Sequence, residues 1–191
     1  MKTKNHYFLL RHGQTIYQKE KIDILYPFPE NPPITLTEEG KRQIENAAKD
    51  LQDKHIDLIF SSDFLRTKQT AKIIAKKLGL KICFDKRLRD INVGIFHGRE
   101  KKEYTDFFKN REEGFYKRPP KGECWNDVKK RLSSFLNEIE KRYKNKRILI
   151  ISHGDPIWLL AGLIKGLKKN EDFLKEKYKG LYPDVGQMIV P

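Results

Sequence analysis

The sequence has only two cysteines in 191 residues, Cys83 and Cys124, far apart and without Cys-x-x-Cys spacing. That excludes a disulfide framework and a cysteine-based zinc site, and reduced thiols are the expectation. Long apolar runs are missing as well. The first, Tyr7 to Leu10, is four residues long, far short of the ~20 that a membrane helix needs. The chain is therefore expected to be soluble and cytoplasmic, with no membrane partner. It has no His-x-His, His-Glu-x-x-His or Cys/His cluster among its five histidines, whereas a metal site needs three or four ligands at a recognisable spacing. No metal and no cofactor is expected. Acidic residues are in deficit, 26 against 40 basic ones, for a net charge of +14. Anionic partners would be steered to such a surface. Much of the excess, however, is lysine in helical stretches, as at Lys72, Lys76, Lys77, Lys129, Lys130, Lys141 and Lys144. That pattern favours a solvated basic surface over a dedicated nucleic-acid face. The oligomeric state has no readable signal.

What is present is an alternation of short apolar runs with helical stripes, over a length that suits one domain, 1–191. Tyr7–Leu10, Leu58–Phe60, Lys81–Phe84 and Ile148–Ile151 read as strands, with an apparent further one at Met188–Val190. Thr37 is placed to cap a helix whose apolar face is Ile44, Ala47, Ala48 and Leu51. Ala71, Ile74, Ala75 and Leu78 repeat that spacing, with Gly79 at the position that ends a helix in a left-handed turn. Val128, Leu132, Phe135 and Ile139 mark a third helix. A fourth, with Leu159, Leu160 and Leu163, is predicted to start near Pro156, which has no N–H to leave unpaired in a first turn. This order predicts an α/β fold: a three-layer α/β/α sandwich with a mainly parallel central sheet. Tyr26–Pro33 contains four of the nine prolines and is neither helix nor central strand, so it reads as a surface loop that shapes access to a site.

Two segments carry the chemistry. Phe8 to Gly13 and Leu149 to Gly154 each place His-Gly directly after an apolar strand, at His12-Gly13 and His153-Gly154. Residues just past the carboxyl ends of parallel strands meet in one crevice, and a glycine after each histidine lets a substrate approach the backbone. Arg11 adjoins His12, and Arg66 follows the strand Leu58–Phe60 through the turn Ser61-Ser62-Asp63. Two guanidiniums at one sheet edge suit a phosphoryl group, whose charge is spread over its equatorial oxygens. A neutral imidazole is a competent nucleophile toward phosphorus.

With these segments the chain resembles the histidine phosphatase superfamily, which includes cofactor-dependent phosphoglycerate mutases and many small phosphatases. Leu10-Arg11-His12-Gly13-Gln14-Thr15 matches its nucleophile motif. The run from Ser61 to Ala71 resembles its phosphate-arginine segment. Leu88-Arg89-Asp90 with Gly94 and Gly98 resembles its acid loop, Gly122-Glu123-Cys124 resembles its Gly-Glu-Ser turn, and Ser152-His153-Gly154 matches its second-histidine motif.

The resemblance implies a phosphoglycerate mutase-like fold, with His12 as nucleophile and Arg11, Arg66, His153 and Gly154 around the phosphate. It also marks departures. Asp90 replaces the usual Glu as general acid, His97 stands where a second Glu is frequent, and Glu123 and His97 are substitute proton donors. Gln18 stands where an Asn usually helps to hold phosphate. The expected activity is hydrolysis of small phosphomonoesters, with a small phosphorylated metabolite as partner and no obligatory nucleic acid. The rivals are a cofactor-dependent phosphoglycerate mutase and a non-catalytic module that binds phosphoprotein or nucleic acid.

Overall fold

A computed structural model describes residues 3–191. The apolar runs become strands β1 (His6–Arg11), β2 (Leu58–Ser61), β3 (Ile82–Phe84), β4 (Arg147–Ser152) and β5 (Met188–Ile189). Their order is β3-β2-β4-β1-β5, with β5 antiparallel to β1 and the other pairings parallel. β3 starts one residue later than the sequence suggests, and β5 ends one residue sooner. The helices are α1 (Ile16–Lys19), α2 (Glu38–Asp50), α3 (Leu65–Leu78), α4 (Lys101–Asp106), α5 (Trp125–Arg142), α6 (Gly154–Ile164) and α7 (Asn170–Glu176). Among the described residues no helix is long and apolar enough to cross a membrane.

The two-residue period of the strands divides the core into two layers. Leu9, Phe60, Ile148 and Ile150 face α5, α6 and α7, where Leu132, Phe135, Trp158 and Phe173 are fully buried. Phe8, Leu10, Ile59, Leu149 and Ile151 face the other way, onto Ile44, Ala48 and Leu51 of α2 and Ala71, Ile74 and Ala75 of α3. Each such side chain contributes ~1.5–3 kcal/mol by leaving water. A one-residue slip would exchange the two faces, so the register is strongly specified.

The predicted caps form. Thr37 Oγ1 accepts from the Gly40 N–H at 2.9 Å, and Gly79 closes α3 at φ 70°. The start of α6 differs from the reading at Pro156: His153 is the N-cap and Gly154 the first helical residue. Proline is tolerated two positions further in because that N–H also lacks a partner within the helix. The shift brings the helix N-terminus to the end of β4.

The glycines after the two histidines have a packing reason that the sequence did not disclose. A Cβ on Gly13 would lie 2.5 Å from the Gly40 carbonyl oxygen, and one on Gly40 would overlap the Gln14 backbone. Strand end and helix α2 therefore touch backbone to backbone. Gly154 likewise leaves room for the Tyr182 hydroxyl. Gly40→Ala is expected to lower stability by ~1–3 kcal/mol through overpacking, read as a lower urea midpoint at unchanged slope. A midpoint equal to that of the wild type would show that this contact relaxes freely.

Candidate active site

The parallel pairing of β1 with β4 sets Arg11 opposite Ser152, so His12 and His153 leave the sheet side by side. The His12 N–H continues the ladder to the Ser152 carbonyl at 3.1 Å. Both imidazoles are buried, with ring centres 5.4 Å apart in an edge-to-face arrangement. Ser62, at the end of β2, shares a 2.9 Å hydrogen bond with His153 Nε2. Arg66 enters from the first turn of α3 with its side chain 1% exposed. Asp90 follows a short 3₁₀ turn, Lys86–Leu88, which is pinned to β4 because the Ser152 hydroxyl donates to the Leu88 carbonyl at 2.6 Å.

His12 Nδ1 lies 2.9 Å from the Gly13 carbonyl oxygen. A carbonyl only accepts, so Nδ1 carries the proton and Nε2 keeps its lone pair. Burial, with Arg66 and Arg11 nearby, holds the His12 pKa well below the ordinary imidazole value. Burial, Arg66 and His12 do the same to His153. Asp90 moves the opposite way: burial raises its pKa despite the opposing pull of Arg66. Its carboxylate oxygen lies 3.5 Å from Arg66 Nη2 and 3.6 Å from His153 Nδ1. The second contact is not an ion pair while His153 is neutral. Arg11 Nε, Arg66 Nε and His153 Nδ1 are buried without hydrogen-bond partners among the described residues. All three belong to residues around His12, and buried polar atoms left open in this way suit an anion with several oxygens.

Above the histidines is a cavity of about 800 Å³ whose lining includes Arg11, Gln18, Arg66, Asp90, Glu123, Gly154 and His97. The structure changes the reading of three of these. Gln18 is turned to its own helix cap and to Tyr26: its Oε1 accepts from the Thr15 N–H at 2.9 Å, and its Nε2 donates to the Tyr26 hydroxyl at 2.8 Å. It positions Tyr26, and one of its two amide N–H donors is committed to that hydroxyl. His97 has both ring nitrogens engaged, by the Tyr26 carbonyl at 2.8 Å and Asn92 Oδ1 at 3.0 Å. Glu123 accepts from Arg131 Nε at 3.0 Å and from the Asn92 N–H at 3.0 Å. Neither is a convenient substitute donor, which leaves Asp90 as the carboxyl nearest the histidines. Arg89 is paired with Asp63 through two 2.6 Å bonds.

The sequence reading missed Glu30, whose carboxylate is ion-paired with Arg66, and Tyr26, whose ring lies 4.2 Å from the Arg66 guanidinium carbon. The available signal was that Glu30 is the only charged residue from Ile24 to Thr37. Among the described residues, no group of three or more His, Cys, Asp or Glu side chains is arranged to hold a metal ion.

Comparison with known proteins agrees with this geometry. A model of the histidine phosphatase superfamily (branch 1) matches residues 7–174. A probable phosphoglycerate mutase GpmB of Erwinia tasmaniensis is 29% identical over 174 residues, covering 86% of this chain and 77% of the relative. One from Yersinia enterocolitica is 32% identical over 167 residues, covering 84% and 74%. Among solved structures, a mycobacterial glucosyl-3-phosphoglycerate phosphatase in complex with VO3 aligns at a TM-score of 0.70 and 26% identity, over 85% of this chain and 81% of that one. Bacillus stearothermophilus YhfR aligns at a TM-score of 0.79 and 23% identity, over 97% and 90%, a likeness of fold.

The electrostatics have a direct readout. A depressed imidazole pKa means that the ring stays neutral as the pH falls through ~6.5. The ring signals of His12 and His153 in a nuclear magnetic resonance titration are expected to hold their neutral positions there. Half-protonation at or above that pH would contradict the site described.

Proposed function

The chain belongs to the histidine phosphatase superfamily, and from that premise we propose that it hydrolyses small phosphomonoesters through a phosphohistidine on His12. The observation that carries this reading is the hydrogen bond from His12 Nδ1 to the Gly13 carbonyl, which leaves Nε2 as the nucleophile. In the proposed sequence Nε2 attacks phosphorus in line. Arg11, Arg66 and His153 hold the equatorial oxygens, and Asp90 gives its proton to the departing alkoxide. The Asp90 carboxylate then takes a proton from water as that water attacks the phosphohistidine, and inorganic phosphate and neutral His12 are regenerated. Positioning and positive charge supply most of the rate in phosphoryl transfer. An imidazole whose pKa burial lowers, beside a carboxyl whose pKa burial raises, suits the demands on nucleophile and acid.

The relatives named probable phosphoglycerate mutase favour a second reading, in which the same phosphoenzyme passes its phosphoryl group to an acceptor hydroxyl. A hydrolase agrees better with the modest cover over the cavity: between Gly98 and Gly122 the chain forms only α4 and a short 3₁₀ turn, Arg111–Phe115. A pure binding module has no need for a nucleophile held in one tautomer.

His12→Ala is expected to abolish turnover, and an alkaline quench of the wild type to retain phosphate on His12. Label on serine or cysteine would end the histidine reading. The rate should fall at low pH as His12 protonates and at higher pH as Asp90 loses its proton, giving a bell on the acidic side of neutrality. Asp90→Asn is expected to slow phosphoenzyme formation from alkyl phosphates by ~10²–10⁴-fold, as loss of a general acid does. p-Nitrophenyl phosphate, whose leaving group needs no proton, should suffer far less. Equal losses in burst kinetics would remove Asp90 from the role of acid.

A further inference from the structure

The imidazoles of His12 and His153 are both buried in the conformation described, and neither lines the cavity beside them. The segment 27–33 beside them is sparsely attached. Among the described residues, none of its backbone groups makes a hydrogen bond to the rest of the protein. Its two ends are fixed. The Tyr26 carbonyl is engaged by His97 Nδ1 at 2.8 Å, and the Leu36 N–H donates to Gln69 Oε1 at 2.8 Å. Between those anchors the polar attachment is the ion pair of Glu30 with Arg66 Nη1. Phe28 adds tilted contacts to Phe64 at 6.1 Å and to His97 at 5.7 Å between ring centres, yet remains 55% exposed. Few hydrogen bonds and one ionic tether describe a segment that opens at low free energy.

The tether is chemically suited to exchange. Arg66 is 1% exposed and always charged, so in the free protein it needs an anion. Glu30, itself only 13% exposed, supplies one on Nη1, while Nη2 faces Asp90 at 3.5 Å. A phosphate that takes the end of the Arg66 fork meets the Glu30 carboxylate already there. Two anions on one guanidinium repel each other, so each weakens the other's hold on it.

We propose that Glu30 is an internal competitor for the phosphate site: its carboxylate closes on Arg66 in the free protein, gives way to the substrate phosphate, and returns to expel product phosphate. The exchange is one of ionic contacts, with no covalent step. It rests on the hydrolase reading above and deepens it, since a hydrolase must release inorganic phosphate after every cycle. A mutase must instead keep a phosphoryl group on its histidine while acceptors exchange, and a carboxylate competing at Arg66 works against that.

Two measurements on the full chain test this without requiring turnover. Calorimetric titration with inorganic phosphate is expected to show at least tenfold tighter binding to Glu30→Gln than to the wild type, about 1.4 kcal/mol, because the amide keeps the shape but loses the competing charge. Equal or weaker binding would show that Glu30 merely positions Arg66, and would overturn the proposal. In the wild type, a glutamate-specific endoprotease is expected to cut after Glu30 faster when orthovanadate saturates the site, with cleavage elsewhere in the chain unchanged. Cleavage at Glu30 that is indifferent to vanadate would overturn it equally. Failure of the phosphatase reading appears separately, as the absence of phosphate on His12, and alters neither measurement.

Discussion

Arg66 is a full positive charge held where water does not reach, and the rest of the site is organised around it. An ion removed from water loses several kcal/mol of hydration, even after the protein relaxes, unless partners replace that hydration. Here the partners are the Glu30 carboxylate, the nearby Asp90 and the ring faces of Tyr26 and Phe64. The same charge acts outward. It lowers the proton affinity of both imidazoles and opposes, without overcoming, the effect of burial on Asp90. His12 and Asp90 are therefore tuned by one cation together with the exclusion of solvent.

That cation is effective only because the sheet delivers the other groups to it. The pairing of β1 with β4 determines the separation of the two histidines, and β2 adds Ser62 and the first turn of α3. Three adjacent parallel strands thus end in a small area, and each contributes a polar residue to the same concavity. The short turn that carries Asp90 is joined to this group through Ser152. Chemical precision at the site is a property of the sheet, so rigidity there follows from the same hydrogen bonds that hold the core.

The parts that could be read from the sequence were those determined by local pattern. Short apolar runs in alternation with helical stripes gave the layers, and Thr37 and Gly79 gave helix ends, because caps depend on a few neighbouring residues. His12, His153, Arg11 and Arg66 could be placed together because strand ends converge in this kind of fold. What stayed hidden depends on contacts distant along the chain. Glu30 meets Arg66 across 36 residues, and His97 meets Tyr26 across 71. The amide of Gln18 is directed by a hydroxyl eight residues away, a contact that spacing alone did not show. The two glycines after the histidines were read as room for substrate, and the structure gives them a packing reason, since the crowding comes from Gly40 and Tyr182.

The absence of backbone pairing in 27–33 separates two kinds of change that usually interfere. Replacing or lengthening this stretch interrupts no ladder and disturbs no buried strand, and each doubling of a flexible loop adds only ~0.6 kcal/mol of closure entropy. The pocket wall formed by Pro27 and Phe28 can therefore be rewritten around a retained Glu30, which Arg66 needs, while His12 and His153 stay where the sheet holds them. With Glu30 kept for Arg66, the stretch is a cassette: the shape of the pocket can be varied through it at little risk to the fold.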